Sequence, residues 1–354
     1  MIQEKTTSNK DLLSWGKNEM LAIATDETVI FCSQNKEDLI IRFYPIKLLQ
    51  FNPSGDKIAI GNIDEIATYA VKREKKIKTR KLFGNYNKDY NIVALHWLSD
   101  NKLAIIEYSA ILYKLAIKLF LCTDETIQQT ETINIDIPSH IINIREIQYS
   151  PSENYLACKT THSTKKQYIQ ILHIQKRCFL GNSFAIPSYV KHSSTREHER
   201  SPILQTPGES HFTFIPNEDI LIKTYNLHFT KNAIIKFIAI ERSKTRILKK
   251  FQIKGKINSI AIHPHKTDIA APYKDHIRII DTQTSNVKQI LKRKNIKKST
   301  TTTLYNKTGT HLASLEEDND LVIWKNARNK NLLQTINKTR KKKLYLDMVI
   351  VAQT

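Results

Sequence analysis

Two kinds of charged cluster stand out in this 354-residue chain. One is acidic. The segment HLASLEEDNDLVIW sets Glu316, Glu317, Asp318, Asn319 and Asp320 in a row, and carboxylates grouped this way suit the guanidinium or ammonium group of a partner. They do not make an acid–base pair, because Glu316 and Glu317 share one expected hairpin with nothing to part their pKa values. The other kind is basic. The runs KREKKIKTRK (72–81), KQILKRKNIKK (288–298) and KTRKKK (338–343) concentrate Lys72, Arg73, Lys75, Lys76, Lys292, Arg293, Lys294, Lys341, Lys342 and Lys343. Taken singly, each run reads as a solvated connection. Taken together, they would form one basic rim able to bind RNA, DNA or anionic lipid. Few aromatics interleave the runs, so phosphate contact would dominate over base stacking.

Other reactive constellations are missing from the sequence. There is no GxSxG, no Walker loop and no dinucleotide fingerprint, and only 8 glycines are spread along the chain, so no phosphate cradle, cofactor or enzymatic activity is expected. His192, His198 and His211 border a polar segment at spacings that fit no metal template, and His263 and His265 flank Pro264 in an expected exposed turn. Four cysteines, Cys32, Cys122, Cys158 and Cys178, contain no CxxC pair and read as reduced, mostly buried thiols of a cytosolic or nuclear protein. The formal charge of +21 accompanies abundant Lys, Asn and Ile throughout, so it reads first as composition and second as attraction for polyanions. No apolar run reaches the roughly 18 residues of a membrane span, and neither secretion nor membrane insertion is expected.

The elements that must carry these clusters repeat. An apolar strand, a polar turn, a strand with a Leu/Ile-Ala pair, a second turn and an alternating strand recur in FNPSGDKIAIG at 51, IQYSPSENYLAC at 147, IAIHPHKTDIAA at 260 and LYNKTGTHLAS at 304. Markers for the pair are Ala22, Ala59, Ala104, Ala157, Ile222, Ala270 and Ala313, which are 37 to 65 residues apart. Inside each unit the apolar period is two, in β-branched segments such as TVIFCS, YIQILHI and HIRIIDT. YSAILYKLAIKLFL (108–121) reads as a strand pair in preference to an amphipathic helix. Seven such units predict an all-β, seven-bladed β-propeller of four-stranded antiparallel blades. It spans residues 12–337, after a polar segment at 1–11. The Ser- and Pro-rich stretch 187–210 is expected as a loop insertion in the fifth blade. Residues 338–354 form a basic tail in which LYLDMVIVA could supply a ring-closing strand.

Degenerate WD-repeat features fit the pattern. Asp64, Asp275 and Asp318 fall in expected hairpins between second and third strands, and Ile280-Asp281 and Ile323-Trp324 take the place of the naming dipeptide. The N-terminal blades resemble one WD-repeat family in particular. LLSWGKNEMLAIATDETVIF (12–31), FNPSGDKIAIGNIDEIATYAV, and REKKIKTRKLFG followed by IVALHWLSDNKLAI are similar, in order, to the first three blades of Fizzy-type activators of the anaphase-promoting complex. The resemblance covers residues 11–107. It implies a non-enzymatic scaffold that recognises degrons for a ubiquitin ligase, with a protein partner or extended peptide motif and ligase subunits as its partners. It also implies that Asp26, on the first blade, and the acidic row on the last blade receive the degron's Arg, with Asn319 standing where the family has an acid. The family's Arg-rich N-terminal docking box and C-terminal Ile-Arg have no counterpart here, where the chain reads Val351, Ala352, Gln353, Thr354 at its end. That leaves a reduced or diverged member, or a propeller that kept the scaffold for another partner. Nucleic acid is the second choice of partner. The lipid version of the basic rim is the weaker one, because the Phe-Arg-Arg-Gly motif of phosphoinositide-binding propellers does not occur in the sequence.

Overall fold

The computed structural model describes residues 13–16, 20–24, 28–33, 36–42, 45–62, 65–71, 78–84, 89–123, 126–181, 183–186, 188–190, 205–207, 210–216, 218–227, 232–241, 244–273, 276–292, 300–316, 321–325 and 332–336. Among them there is no helix, and so none long and apolar enough to cross a membrane. Seven blade sheets follow one another along the chain, six of four strands and one, in blade four, of five. Blade one holds β1 (Leu13–Trp15), β2 (Leu21–Ala24), β3 (Thr28–Ser33) and β4 (Lys36–Arg42). Blade two holds β5 (Leu48–Phe51), β6 (Lys57–Gly61), β7 (Glu65–Ala70) and β8 (Lys78–Gly84), and blade three β9 (Asn91–Trp97), β10 (Lys102–Ser109), β11 (Lys114–Cys122) and β12 (Ile127–Asp136). In blade four, β13 (Ile141–Tyr149), β14 (Tyr155–His162) and β15 (Gln167–His173) are completed by an outer strand in two pieces, β16 (Cys178–Phe179) and β17 (Phe184–Ile186), both paired to β15. Blade five is β20 (Ser210–Phe214), β21 (Ile220–Leu227), β22 (Asn232–Glu241) and β23 (Lys244–Lys254), reached through a two-stranded ribbon of β18 (Ser188–Val190) and β19 (Gln205–Pro207). Blade six is β24 (Ala261–Ile262), β25 (Asp268–Pro272), β26 (Ile277–Asp281) and β27 (Val287–Leu291), and blade seven β28 (Thr300–Tyr305), β29 (His311–Glu316), β30 (Leu321–Lys325) and β31 (Leu332–Ile336).

The repeat markers land on the second strands. Ala22, Ala59, Ala104, Ala157, Ile222, Ala270 and Ala313 lie on β2, β6, β10, β14, β21, β25 and β29, and all seven are fully buried. Alanine suits six of these positions because neighbouring blades converge there, and forcing extra methylenes in would cost about 1–3 kcal/mol; blade five accommodates Ile222 in the same place. The segment 108–121 is a strand pair, with β10 ending at Ser109 and β11 starting at Lys114. The 187–210 insertion sits ahead of the fifth blade, between β17 and β20, rather than within it.

The core is divided among the blade interfaces instead of forming one centre. Val29 and Phe31 of blade one pack on Ile58 and Ile60 of blade two, Tyr155 and Ala157 of blade four on Phe212 and Ile238 of blade five, and Leu13, Trp15 and Ile23 of blade one on Ala313 and Leu321 of blade seven. No blade buries both faces alone, so each depends on its neighbours for burial worth about 1.5–3 kcal/mol per large aliphatic side chain.

Polar ties cross the same interfaces. Trp97 Nε1 of blade three donates to Gln50 O of blade two at 3.1 Å, and Trp15 Nε1 of blade one donates to Leu304 O of blade seven at 3.2 Å. Blades one and seven each build four strands from contiguous chain, so among the described residues ring closure is by packing and not by a shared strand; LYLDMVIVA lies outside those residues. A second tie reaches from blade seven to blade two, where Lys307 Nζ donates to Asn52 O at 2.9 Å and to Pro53 O. The turns involved are Asx turns. Asn52 Oδ1 accepts from Asp56 N and Lys57 N, Asn306 Oδ1 accepts from His311 N, and Gly55 and Gly309 take the left-handed φ values of 76° and 69° that close the turns.

Candidate functional site

The acidic residues fall in the chain connections next to the seam between the first and last blades. Asp26, Glu317, Asp318, Asn319 and Asp320 lie outside the described residues, and Glu316 ends β29. The strands that flank them are described: β2 and β3 on one side, β29 and β30 on the other, each pair joined in an antiparallel ladder. Both connections run from second to third strand, and the two blades share the core of Leu13, Trp15, Leu21, Leu315 and Leu321. The flanking strand ends therefore face the same way on adjacent blades.

The basic runs are distributed differently from the sequence expectation. Of the named cations only Lys292 is among the described residues, and it is exposed. The run 72–81 does not lie between two blades. Its first part joins β7 to β8 inside blade two, and its last residues are β8 itself. The run 288–298 begins on β27 and continues toward β28, between blades six and seven. In an antiparallel blade a third-to-fourth connection and a blade-to-blade connection leave from opposite ends of the sheet. The described ends flanking these two runs, Ala70 with Lys78 and Leu291 with Ile277, accordingly sit at opposite ends of their blades.

A further basic stretch lies among the described residues. KTRILKKFQIKGK (244–256) holds six Lys or Arg and no acid, most of it on β23, the outer strand of blade five. Ile247 and Leu248 within it are exposed. Its signal in the sequence is charge density, diluted by the interleaved apolar residues of a strand.

Several titratable groups of the interior are held in their neutral forms by burial. His96 is pushed down to about 4 by burial and stacks on Tyr149 at 4.7 Å between ring centroids. His263 is buried, not exposed as its turn suggested, because Tyr305 and the Gly309 turn of blade seven cover it; burial and then Lys266 lower its pKa. Cys122 and Cys158 are buried free thiols raised by burial to about 11 and about 12, while Cys178 is exposed. Thiols so raised are poor nucleophiles at neutral pH. His192 and His198 lie outside the described residues, and His211 is on β20. Among the described residues no group of three or more His, Cys, Asp or Glu side chains converges.

No protein-family model matches the chain, and no curated protein matches it. Solved structures do. A chain of the mitotic checkpoint complex is similar at a TM-score of 0.60 and 12% identity, over 90% of each chain. The Cps50 (Swd1) β-propeller domain from Myceliophteria thermophila is similar at a TM-score of 0.55 and 13% identity, over 88% of this chain and 96% of that one. The fold is thus a seven-bladed β-propeller. Similarity extends to 1179 solved chains, so the fold by itself selects no single function.

Proposed function

We propose that this protein is a non-enzymatic interaction propeller that receives an extended peptide degron across the seam of its first and last blades, as a substrate adaptor of an anaphase-promoting-complex type ubiquitin ligase. The observation that carries the reading is the junction itself. Trp15 and its neighbours lock blade one onto blade seven, and the two acid-bearing connections leave from the same end of that junction. The ordered resemblance through residue 107 to Fizzy-type activators supports it, as does the fold-level similarity to a chain of the mitotic checkpoint complex. In this reading Asp26 and the carboxylates around Asp318 pair with an arginine of the peptide, a charge-assisted contact that holds where local potential is negative on an otherwise basic chain. The cytoplasm or nucleus is the compartment that goes with its reduced thiols. The test is fluorescence polarisation with a labelled destruction-box peptide, its Arg→Ala version, and Asp26→Arg and Asp318→Arg proteins. Binding should fall at least tenfold in the charge-reversed proteins and for the altered peptide. Equal binding by wild type and variants, or none by either, rejects the site.

A second reading, binding of nucleic acid through a basic face, is favoured by the six cations of 244–256. It requires sequence-blind affinity that falls about 10³-fold between 50 and 200 mM salt if six phosphates are contacted. Titration of unrelated duplexes over a salt series measures this, and binding indifferent to salt contradicts it.

A further inference from the structure

One rung of blade five carries three lysines in line. The register of its ladders sets Phe212 opposite Lys223, Lys223 opposite Lys236 and Lys236 opposite Lys250. Directly opposed side chains share a face of the sheet, and this face is turned to blade four, because Phe212, Leu221 and Ile238 on it pack against Tyr155 and Ala157. The three ammonium groups therefore form a row in the cleft between blades four and five. The row runs from Lys223, 1% exposed, through half-buried Lys236 to exposed Lys250 at the cleft mouth.

The row has little to balance it. Lys223 Nζ donates to Phe184 O and Ala185 O of β17, at 3.0 Å each. Lys223 and Lys236 stand over the same Tyr225 ring, with Nζ at 5.7 and 5.4 Å from its centroid. These are neutral partners. Across the cleft stands Lys159 of blade four, near enough to act on the charge of Lys223. The carboxylate beside it, Glu146, is already bonded to Lys159 at 3.2 Å. Burial first, and then Lys236 and Lys159, push Lys223 down to about 7; burial and then Lys250 also lower Lys236. Like charges directly opposite one another are destabilising, and in a low-dielectric cleft they create a focused positive potential.

We propose that the cleft between blades four and five is an anion site for a phosphate monoester, gripped by Lys236 and Lys250 at the mouth with Lys223 behind them. The charge on the page decides the class. A phosphate monoester brings about −1.5 to −2 charge and three acceptor oxygens to one point, which matches a row of three point-charge donors. A carboxylate brings one charge. A nucleic-acid duplex carries its phosphates on a convex surface that a cleft between two blades does not admit.

Two sources share this chemistry, a phosphorylated side chain on a peptide and free phosphate, and one experiment separates them. The probes are a labelled phosphoserine octapeptide of otherwise Gly and Ser, its unphosphorylated twin, inorganic phosphate as competitor, and a 12-base-pair duplex. The proteins are wild type, Lys236→Met, Lys250→Met and, as a control, the exposed Lys114→Met of blade three. Binding of the phosphopeptide, or of phosphate alone by calorimetry, should drop at least tenfold in Lys236→Met and Lys250→Met and stay within twofold in Lys114→Met. Competition by inorganic phosphate at equal charge assigns the site to free phosphate, and its failure to compete assigns the site to the peptide. A phosphate-dependent rise in melting temperature that both cleft variants lose, while their phosphate-free melting matches wild type, excludes unfolding as the cause. Equal binding of the unphosphorylated twin, undiminished binding by the cleft variants, or binding of the duplex alone with equal loss in Lys114→Met overturns the proposal.

Discussion

Lys223 should make the stability of this protein rise with pH across the neutral range. Its pKa is 10.5 in an unfolded chain and about 7 in the fold, lowered by burial and then by Lys236 and Lys159. Between those two values the unfolded state holds a proton that the folded state has released, so raising the pH favours the fold. The charged and titratable groups facing it are Lys236, Lys250 and Tyr225 on its own blade, and Lys159 with its partner Glu146 on blade four. With one pKa unit worth about 1.4 kcal/mol, the gain from pH 7 to pH 8.5 comes to about 1.5 kcal/mol, since the group is half-protonated at the start. Other groups act in the same range; the buried thiols Cys122 and Cys158, for example, oppose the trend at higher pH because their pKa values are raised in the fold. Lys223→Met removes only the lysine contribution. Urea unfolding of both proteins at pH 6.5, 7, 7.5, 8 and 8.5 should therefore give a wild-type-minus-variant difference that climbs by about 1.5 kcal/mol between pH 7 and 8.5. The offset between the curves also contains the carbonyls of Phe184 and Ala185 left without a donor, so the slope carries the test. Parallel curves would refute the reasoning, because an ammonium that stays charged to pH 8.5 is not desolvated by this cleft.

Two further substitutions probe the ring. Gly309→Ala should destabilise by about 2–4 kcal/mol in chemical denaturation, from a left-handed φ of 69° and a Cβ overlapping the buried His263 ring; His263→Ala in the same chain should recover the overlap part, and a loss below about 1 kcal/mol would show that the ring moves freely. Trp15→Phe and Trp97→Phe each leave one inter-strand carbonyl, Leu304 O or Gln50 O, without its indole donor, costing about 1–3 kcal/mol. Hydrogen exchange should show protection lost in β1 and β28 for the first and in β5 and β9 for the second, whereas a uniform loss would contradict interface-by-interface cohesion.

The fold was readable because its determinants are local. A period of two, an Ala after an aliphatic residue in six of the seven units, and an Asn or Ser opening turns such as those at Asn52, Ser150 and Asn306 are properties of single strands and hairpins, and they located all seven second strands through Ala22, Ala59, Ala104, Ala157, Ile222, Ala270 and Ala313. Where sequence reasoning slipped, the controlling fact was a neighbour in another blade. His263 looked like a turn residue, and it is buried because the blade-seven turn at Gly309 lies over it. The 72–81 run looked like a linker because its charge interrupts the apolar pattern, yet β8 pairs with β7 through backbone groups that do not depend on side-chain charge.

The same distinction governs where function can be sought. A run of lysines is visible in one dimension but says little about potential, since the described ends flanking 72–77 and 293–299 point to opposite ends of their blades. The three lysines of blade five are invisible as a group in the sequence, separated by 13 and 14 positions, and become one row only through the registers of β21 with β22 and β22 with β23. The outer pairing carries a bulge between Phe237 and Ile238, where Leu248 is the extra residue. The bulge absorbs that residue, so Ile238 stays opposite Ile247 on one side while Lys236 stays opposite Lys250 on the other. Deleting Leu248 should therefore leave both sets of pairs in register and the lysine row intact, and phosphate binding should survive it. Loss of binding in the deletion, with the fold retained, would show that the pairing register alone does not make the site.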